Sequence, residues 1–227
     1  MQANGCQYFV FSSTCATYGE PEQLPISEDC PQNPINAYGR SKYMLEQILA
    51  DCDRAWGLKS VCLRYFNASG ADSESLIGED HDPETHLIPL ILMAIKGEIE
   101  KITVFGTDYK TRDGTCIRDY IHVEDLAKAH ALSIDYLLGQ GDSIQLNLGT
   151  GIGVSVKEII DAAEKATGKK VPLVYGERRS GDTTTFIADA SLAKKTIGWE
   201  AEHKDAKKMV ESAWNWMSQE HQGRFPD

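Results

Sequence analysis

The chain has 227 residues, 41% of them hydrophobic and 25% charged, and its 34 acidic and 23 basic side chains give a formal net charge of −11. These values are ordinary for a folded globular protein and exclude collagen-like, low-complexity and disordered chains. The acidic balance argues against a nucleic-acid partner, because contacts with phosphates need a basic face.

The sequence shows neither a membrane segment nor a targeting signal. No apolar run approaches the roughly 18 residues of a spanning helix. The start, Met-Gln-Ala-Asn-Gly, has neither the basic nor the apolar region of a signal peptide. Six cysteines are scattered without a C-x-x-C pair, which favours reduced thiols over a disulfide framework or a zinc site. We therefore expect a cytoplasmic protein without a membrane partner.

Short β-branched or aromatic runs alternate with segments whose apolar residues recur at helical spacing. In chain order the predicted elements are a strand at 7–13, a loop at 14–34, a helix from 36 to about 54, a strand at 60–66, a loop at 67–84, a helix at 86–97, a strand near 102–105, a turn at 109–114, an extended segment at 116–123, a helix at 125–138, a strand at 143–148, a helix at 156–167, a strand at 171–175, and helices at 192–197 and 207–218. This alternation predicts an α/β fold with a largely parallel sheet.

Tyr38 and Lys42 lie four residues apart near the start of the first predicted helix, so both side chains occupy one face. An ammonium beside a phenol lowers the pKa of tyrosine from about 10, and such a tyrosine can act as a general base. Ser12, Ser13 and Thr14 end the preceding strand, where α/β sheets place their ligands. The alternative interpretation is an incidental pair on a solvated helical face, with hydroxyls that only cap a strand.

Seven segments follow one another along nearly the whole chain. They are SSTCATYG (12–19), NAYGRSK (36–42), LRYFNASGA (63–71), HLIP (86–89), VFGTDYKTRDGTCIRDYIHVEDLAKAH (104–130), NLGTGIGVSV (147–156) and RRSGD (178–182). Together they resemble the UDP-glucose 4-epimerases of the extended short-chain dehydrogenase/reductase family. Tyr-xxx-Lys alone would mark only the wider family, whereas the RYFN, DGT-x-x-RDYIHV-x-DLA and RR-x-GD segments are far more specific.

The resemblance implies an isomerase of galactose metabolism that interconverts UDP-glucose and UDP-galactose by NAD-dependent transient oxidation at C4 of the sugar. The implied fold is the C-terminal part of a Rossmann-like doubly wound parallel sheet plus a smaller α/β substrate-binding domain. Residues 1–70 would be the remnant of the NAD-binding domain. Residues 71–227 would mainly bind the UDP-sugar, with about 112–150 returning to the Rossmann sheet.

The resemblance also assigns roles to individual residues. Tyr38 would be the acid/base, Lys42 would tune its pKa and bind the nicotinamide ribose, and Thr14 would bond the sugar 4-hydroxyl. The expected cofactor-binding residues are Ser12, Ser13, Thr14, Tyr38, Lys42 and Phe66. The expected substrate-binding residues are Thr14, Asn67, His86, Leu87, Thr103, Phe105, Arg118, Arg179, Asp182 and Phe186.

Within that set, Thr103 and Phe105 would flank the uracil, and Arg118 and Arg179 would neutralise the diphosphate. Arginine suits phosphate because its planar fork gives paired charge-assisted hydrogen bonds; ordinary surface charge is the other interpretation. Asp182 would bond the uridine ribose and Asn67 would lie beside the diphosphate.

Phe186 aligns with a position that gates the sugar pocket in the family. A bulky side chain there should leave little room for an N-acetyl group, which favours UDP-glucose and UDP-galactose. An ordinary core aromatic explains Phe186 equally well.

Two segments imitate other sites. Gly149, Gly151 and Gly153 follow a strand like a dinucleotide loop, but the third required glycine is replaced by Val154, so we expect a helix-entry turn. Residues 79–86 are rich in Glu, Asp and His without helical or finger spacing, so we expect no metal there.

The family's glycine-rich NAD loop, ribose-binding acid and first strands have no counterpart here, and the sequence opens near the family's fifth strand. We therefore expect a fragment of a longer enzyme or a natural truncation, with an exposed sheet edge and apolar face and with poor stability or aggregation of the chain alone. The family commonly forms homodimers through the Tyr-Lys helix and the helix before the first strand seen here. A homodimer is thus expected of the full-length protein and stays open for this chain.

Two other functions fit the sequence. A truncated relative could be a non-catalytic UDP-sugar-binding or interaction module. Another sugar-nucleotide epimerase or dehydratase is the second alternative, although dehydration needs a carboxylate near the Ser/Thr position, and Glu20 is the nearest candidate.

Overall fold

The structure is a computed structural model, and it describes residues 1–179 and 182–219. The strands are β1 (Tyr8–Thr14), β2 (Lys59–Tyr65), β3 (Asn67–Ser69), β4 (Ile102–Phe105), β5 (Ile117–His122), β6 (Ile144–Leu148), β7 (Gly153–Ser155), β8 (Leu173–Gly176) and β9 (Thr185–Phe186). The helices are α1 (Ala37–Trp56), α2 (Leu87–Lys96), α3 (Val123–Leu138), α4 (Val156–Thr167), α5 (Ser191–Ile197) and α6 (Ala206–Ser218), with 3₁₀ turns at Gln2–Asn4 and Cys15–Tyr18.

The strands form three hydrogen-bonded sheets. The first has the order β1-β2-β6 and is parallel throughout, with Thr14 opposite Tyr65 and Tyr65 opposite Leu148. Its three strands therefore end at one edge, which is where parallel sheets place ligands. The second has the order β3-β5-β7, with β9 parallel to β5, and the third pairs β4 with β8 in parallel. The predicted α/β class is confirmed.

Local signals define α1 at both ends. The Asn36 side chain accepts a hydrogen bond from the Gly39 N–H at 2.8 Å, and Gly57 ends the helix with φ 80°. A Cβ at Gly39 would lie 2.4 Å from the carbonyl oxygen of Ala16, so only glycine lets the helix start approach the 3₁₀ turn this closely. That approach brings Tyr38 to the carboxyl end of β1.

Helices cover both faces of the first sheet. On one face, α1 packs over a cluster that contains Phe11, Leu49, Leu58 and Cys62. On the other face, α3 and α5 pack over a cluster that includes Leu63, Leu146 and the fully buried Trp199. The expected exposed apolar face is thus only partly covered, since Tyr8, Phe9 and Val10 on β1 remain half-buried. The expected open edge is present, because among the described residues β1 pairs with β2 alone.

The chain divides into two compact units. Of the described residues, the first unit contains 1–68, 117–153 and 182–204, and the second contains 69–116, 154–179 and 205–219. In the second unit, α4 packs against α2 and α6, and its buried stripe includes Ile159 and Ile160.

Most predicted elements lie within one or two residues of the observed ones, but three short strands were missed. β3, β7 and β9 have only two or three residues each, too few for a periodic pattern. Of the helices in the described ranges, none is long and apolar enough to cross a membrane.

Candidate active site

The carboxyl end of β1 and the first turns of α1 bring together Ser12, Thr14, Tyr38 and Lys42. The Lys42 ammonium donates to the carbonyl oxygen of Ser12 at 2.9 Å and lies 5.6 Å from the centroid of the Tyr38 ring. The Thr14 hydroxyl accepts from the N–H of Ala16 at 3.2 Å and acts on the Tyr38 phenol so as to lower its pKa. Tyr38 itself is 53% exposed, so its ring is open to a ligand. The structure thus assembles the predicted catalytic group.

The electrostatics of Tyr38 differ from the prediction. Partial burial raises the pKa of Tyr38 above its ordinary value, and the Thr14 side chain opposes that rise. The expected lowering by Lys42 is wrong in this structure, because the ammonium binds the Ser12 carbonyl. At neutral pH the phenol therefore holds its proton.

The two serines before Thr14 have other partners. The Ser13 hydroxyl is fully buried and donates to the Glu46 carboxylate at 2.5 Å, so its side chain faces the core, and the assignment of Ser13 to the cofactor stays a prediction. The Ser12 hydroxyl lies 2.9 Å from Nε2 of His130. Ser12 thus contributes its carbonyl to Lys42 and its hydroxyl to α3.

A buried polar network below the site was not predicted. Nε and Nη2 of Arg64 donate to the Glu46 carboxylate at 2.6–3.2 Å, and both side chains are at most 5% exposed. Nη1 of Arg64 donates to the Tyr18 hydroxyl at 3.0 Å, which in turn donates to Oδ1 of Asn147 at 2.7 Å. Burial raises the pKa of Tyr18 to about 12. The available signal was Glu46 itself, a carboxylate four residues after Lys42 on the same helical face.

The guanidinium of Arg118 on β5 already has partners within the protein. Its Nη1 donates to the carbonyl oxygens of Ile117 and Thr183 at 2.9 and 2.8 Å, and its Nη2 lies 3.8 Å from the Asp182 carboxylate. The structure therefore pairs the two residues that the resemblance assigns to the diphosphate and the uridine ribose. Because Asp182 is at salt-bridge distance, the guanidinium is held in place before any ligand binds.

Phe186 lies opposite Arg118 in the β5–β9 register and packs against Phe66, with ring centroids 5.5 Å apart. Both rings are buried in a cluster with Cys15, Tyr18, Ile26 and Ala188. Phe186 is thus a core aromatic, and its gating role stays a prediction. Asn67 begins β3 directly after Phe66 and is half-buried.

The second unit holds a smaller group of predicted residues. The Arg179 guanidinium lies 4.2 Å from the centroid of the Phe105 ring, and Thr103 is exposed on the same strand, β4. An aromatic ring beside a guanidinium can hold a planar base and a phosphate. Arg178, next in the chain, lies 4.2 Å from the Tyr109 centroid and donates to Asp108 at 2.7 Å.

His86 and Leu87 begin α2. His86 is exposed, and its Nδ1 contacts the Glu79 carboxylate and lies 3.5 Å from Glu84. Glu79, His81, Glu84 and His86 each place one potential ligand atom within 4.8 Å of the others. The loop folds back on itself and so brings together side chains whose sequence spacing matches no metal motif, and the expectation of no metal here stays a prediction.

The glycine-rich segment 149–153 is tied to Asp119. One carboxylate oxygen accepts from the N–H and the hydroxyl of Thr150 at 2.9 and 2.6 Å, and the other accepts from the N–H groups of Gly151 and Ala188 at 3.0 and 3.1 Å. Those amides are occupied and do not form a phosphate cradle. As predicted, the segment is a turn, which leads through β7 into α4.

The model of the family described as "NAD dependent epimerase/dehydratase family" matches residues 1–149. The chain is 55% identical over 221 residues to the UDP-glucose 4-epimerase of Rhizobium meliloti, covering 97% of this chain and 67% of that protein. It is 50% identical to the enzyme of the same name from Streptococcus mutans, covering 96% and 66%.

Solved structures that resemble this chain carry the same name as these relatives. The UDP-glucose 4-epimerase from Brucella ovis in complex with NAD matches with a TM-score of 0.90 and 49% identity over 92% of this chain and 64% of that chain. The enzyme from Stenotrophomonas maltophila with bound NAD and formylated UDP-arabinopyranose matches with a TM-score of 0.90 and 44% identity over 95% and 65%. The chain thus spans about two thirds of the length of these relatives.

Proposed function

The chain belongs to the NAD dependent epimerase/dehydratase family, and from this premise we propose that it carries the catalytic helix and the sugar-nucleotide residues of a UDP-glucose 4-epimerase. The reaction is the interconversion of UDP-glucose and UDP-galactose. The observation that carries the proposal is the placement of Thr14, Tyr38 and Lys42 at the carboxyl end of β1, with the Lys42 ammonium 5.6 Å from the centroid of the Tyr38 ring. The names of relatives at 50–55% identity support the same reaction.

The residues at this site fit a nicotinamide cofactor. The half-exposed Tyr38 and the ammonium of Lys42 lie side by side, a phenol and a cation that a ribose can bond. NAD, when bound, supplies the acceptor and the donor of the hydride at C4 of the sugar. We assign its binding to Ser12, Thr14, Tyr38, Lys42 and Phe66.

Tyr38 removes the proton of the sugar 4-hydroxyl and returns it. Its raised pKa keeps the phenol protonated at neutral pH, so it can return a proton to a sugar oxygen. In the opposite direction the Thr14 hydroxyl stabilises the phenolate. The hydrogen bond from Lys42 to the Ser12 carbonyl oxygen holds the start of α1 against the end of β1.

The sugar nucleotide is assigned to two groups of residues. In the first unit, Arg118 and Asp182 are held together and would contact the diphosphate and ribose. In the second unit, Arg179 and Phe105 would contact phosphate and uracil, with Thr103 beside them. His86, Leu87, Asn67 and Phe186 keep the roles that the family resemblance gives them.

We also place the protein in the cytoplasm and propose a homodimer. The six cysteines are free thiols, which a reducing compartment preserves. On α1, Met44 and Ile48 are four residues apart and about half exposed, an apolar face for a second copy of the helix.

The proposed function is tested with Tyr38→Phe in the protein as expressed from its own gene. We expect turnover of UDP-galactose to fall by about 10²–10⁴-fold, since only the proton-transferring hydroxyl is removed. UDP-glucose binding, measured by calorimetry, should stay unchanged. Tyr43→Phe on the same helix is the matched control and should keep full activity.

Equal loss of binding and turnover would show that Tyr38 has a structural role instead. Product analysis separates the alternatives. A 4-keto-6-deoxy sugar would identify a dehydratase, and tight UDP-glucose binding without any turnover would identify a binding module.

A further inference from the structure

Two histidines and two glutamates converge in the loop before α2, entirely within the second unit. Nδ1 of His86 lies 3.5 Å from Oε1 of Glu84, Nδ1 of His81 lies 3.6 Å from the same oxygen, and Glu79 contacts His86 directly. Ligand atoms of a tetrahedral site with zinc bonds of 2.0–2.2 Å are about 3.3–3.6 Å apart. Two of the pairs therefore already have the spacing of a four-coordinate centre.

Both ends of this loop are anchored. Nε1 of Trp216 on α6 donates to the carbonyl oxygen of Glu79 at 3.4 Å. Gly78 packs so tightly against the same indole that a Cβ would lie 2.1 Å from it. At the other end, the Glu84 carboxylate accepts from the N–H groups of Thr85 and His86 at 2.5 and 2.7 Å. The four side chains are thus held near one another by α2 and α6 before any ion binds.

The donor set selects the ion. Two carboxylates in one cluster repel each other, and a divalent cation removes that repulsion. Imidazole nitrogens favour zinc and similar transition metals, whereas Mg²⁺ and Ca²⁺ prefer oxygen ligands alone. Four protein ligands with no position left for water are typical of a structural zinc site rather than a catalytic one.

We propose that Glu79, His81, Glu84 and His86 form a Zn²⁺ site that fixes the loop before α2. Glu84 contributes the most buried ligand, with its side chain 6% exposed, whereas His81 and His86 are 49% and 60% exposed. All its ligands belong to one segment of the second unit, and one of them, His86, is also among the residues that the family resemblance assigns to the substrate.

The test is zinc binding by the chelator-treated protein. Titration with ZnCl₂ should give one saturable equivalent per chain and a higher melting temperature, because zinc binds only the folded loop. His81→Asn and His86→Asn should each weaken binding by more than the roughly 10–100-fold that loss of an outer-shell partner costs. Both histidines are about half exposed, so these variants should fold, and their zinc-free melting temperatures check this. Glu79→Gln provides a third variant that alters the opposite end of the loop.

Zinc binding at another cluster and zinc binding through cysteine sulfur are the two alternatives, and each has its own control. A second cluster in the structure contains His122, Glu124 and His203, so His203→Asn should leave zinc binding unchanged. X-ray absorption should show only nitrogen and oxygen ligands at about 2.0–2.1 Å. The proposal is overturned by binding that survives His81→Asn and His86→Asn, by loss of binding in His203→Asn, by a sulfur shell at about 2.3 Å, or by the absence of saturable binding.

Discussion

At the carboxyl end of β1, the Lys42 ammonium donates a hydrogen bond to the Ser12 carbonyl oxygen, and the Thr14 side chain is the group that lowers the pKa of Tyr38. The residue types of the site were therefore readable from their spacing, but their pairing was not. A side chain with a flexible four-carbon stem can reach either partner, and only the position of the strand end decides between them. The same holds for Ser13, whose hydroxyl points into the core rather than toward the ligand edge.

His122 is the residue from which we expect a measurable pH dependence of stability. Burial and the stacked His203 lower the pKa of His122, while Glu124 and Asp125 oppose that shift. The unfolded chain has the ordinary histidine pKa of about 6.5, so on acidification the unfolded state takes up a proton that the folded state refuses. The free energy of unfolding should therefore fall as the pH drops through about 6.5.

His122→Asn isolates this contribution. Asparagine keeps an acceptor for the Glu124 N–H, which Nδ1 of His122 caps at 3.2 Å, but it does not titrate. Urea unfolding between about pH 8 and pH 5 should show a flatter acid limb than in the wild type. An unchanged limb would mean that His122 does not titrate differently in the two states.

At the scale of elements, α1 is the part of the fold on which the site depends. Glu46, one helical turn after Lys42, is held by Arg64 of β2 and Ser13 of β1, so one carboxylate joins the catalytic helix to two strands. A buried ion pair of this kind specifies position more than it stabilises, because removing both charges from water is costly.

Breaking the buried Glu46–Arg64 ion pair should destabilise the folded protein. We expect Glu46→Ala to lower the free energy of unfolding by about 3–5 kcal/mol, because Arg64 is left buried without its partner. Asp51→Ala on the same helix is the control: it breaks the exposed Arg54–Asp51 pair and should cost less than about 0.5 kcal/mol. Urea denaturation measures both. Equal small effects would contradict a central role for the network.

At the scale of the whole molecule, the first sheet has helices on both faces and an open edge at β1 within the described residues. Association of this chain can therefore use the β1 edge or an exposed helix face. Two helices of the first unit offer comparable apolar pairs, Met44 and Ile48 on α1 and Ile134 and Leu138 on α3.

The homodimer proposal distinguishes these surfaces. Met44→Glu with Ile48→Glu should convert the protein to a monomer in light scattering after size-exclusion chromatography, because charge is placed on the apolar face of α1. Ile134→Glu with Leu138→Glu on α3 is the matched control and should leave the dimer intact. The reverse result would place the interface on α3, and association that survives both would point to the β1 edge.

The sequence by itself determined the local structure of this protein, because the signals for it lie within a few residues of one another. Asn36 and Gly57 bound α1, Ser155 and Glu158 form the capping box of α4, and Gly168 ends that helix. The four-residue spacing of Tyr38 and Lys42 places both on one helical face for the same reason. Tertiary structure alone decided which polar groups meet across long stretches of chain. Asp119 closes the turn at Thr150, Arg64 finds Glu46, and two histidines turn toward two glutamates before α2. Those partners depend on where strands and helices pack, and no periodicity in the sequence encodes that.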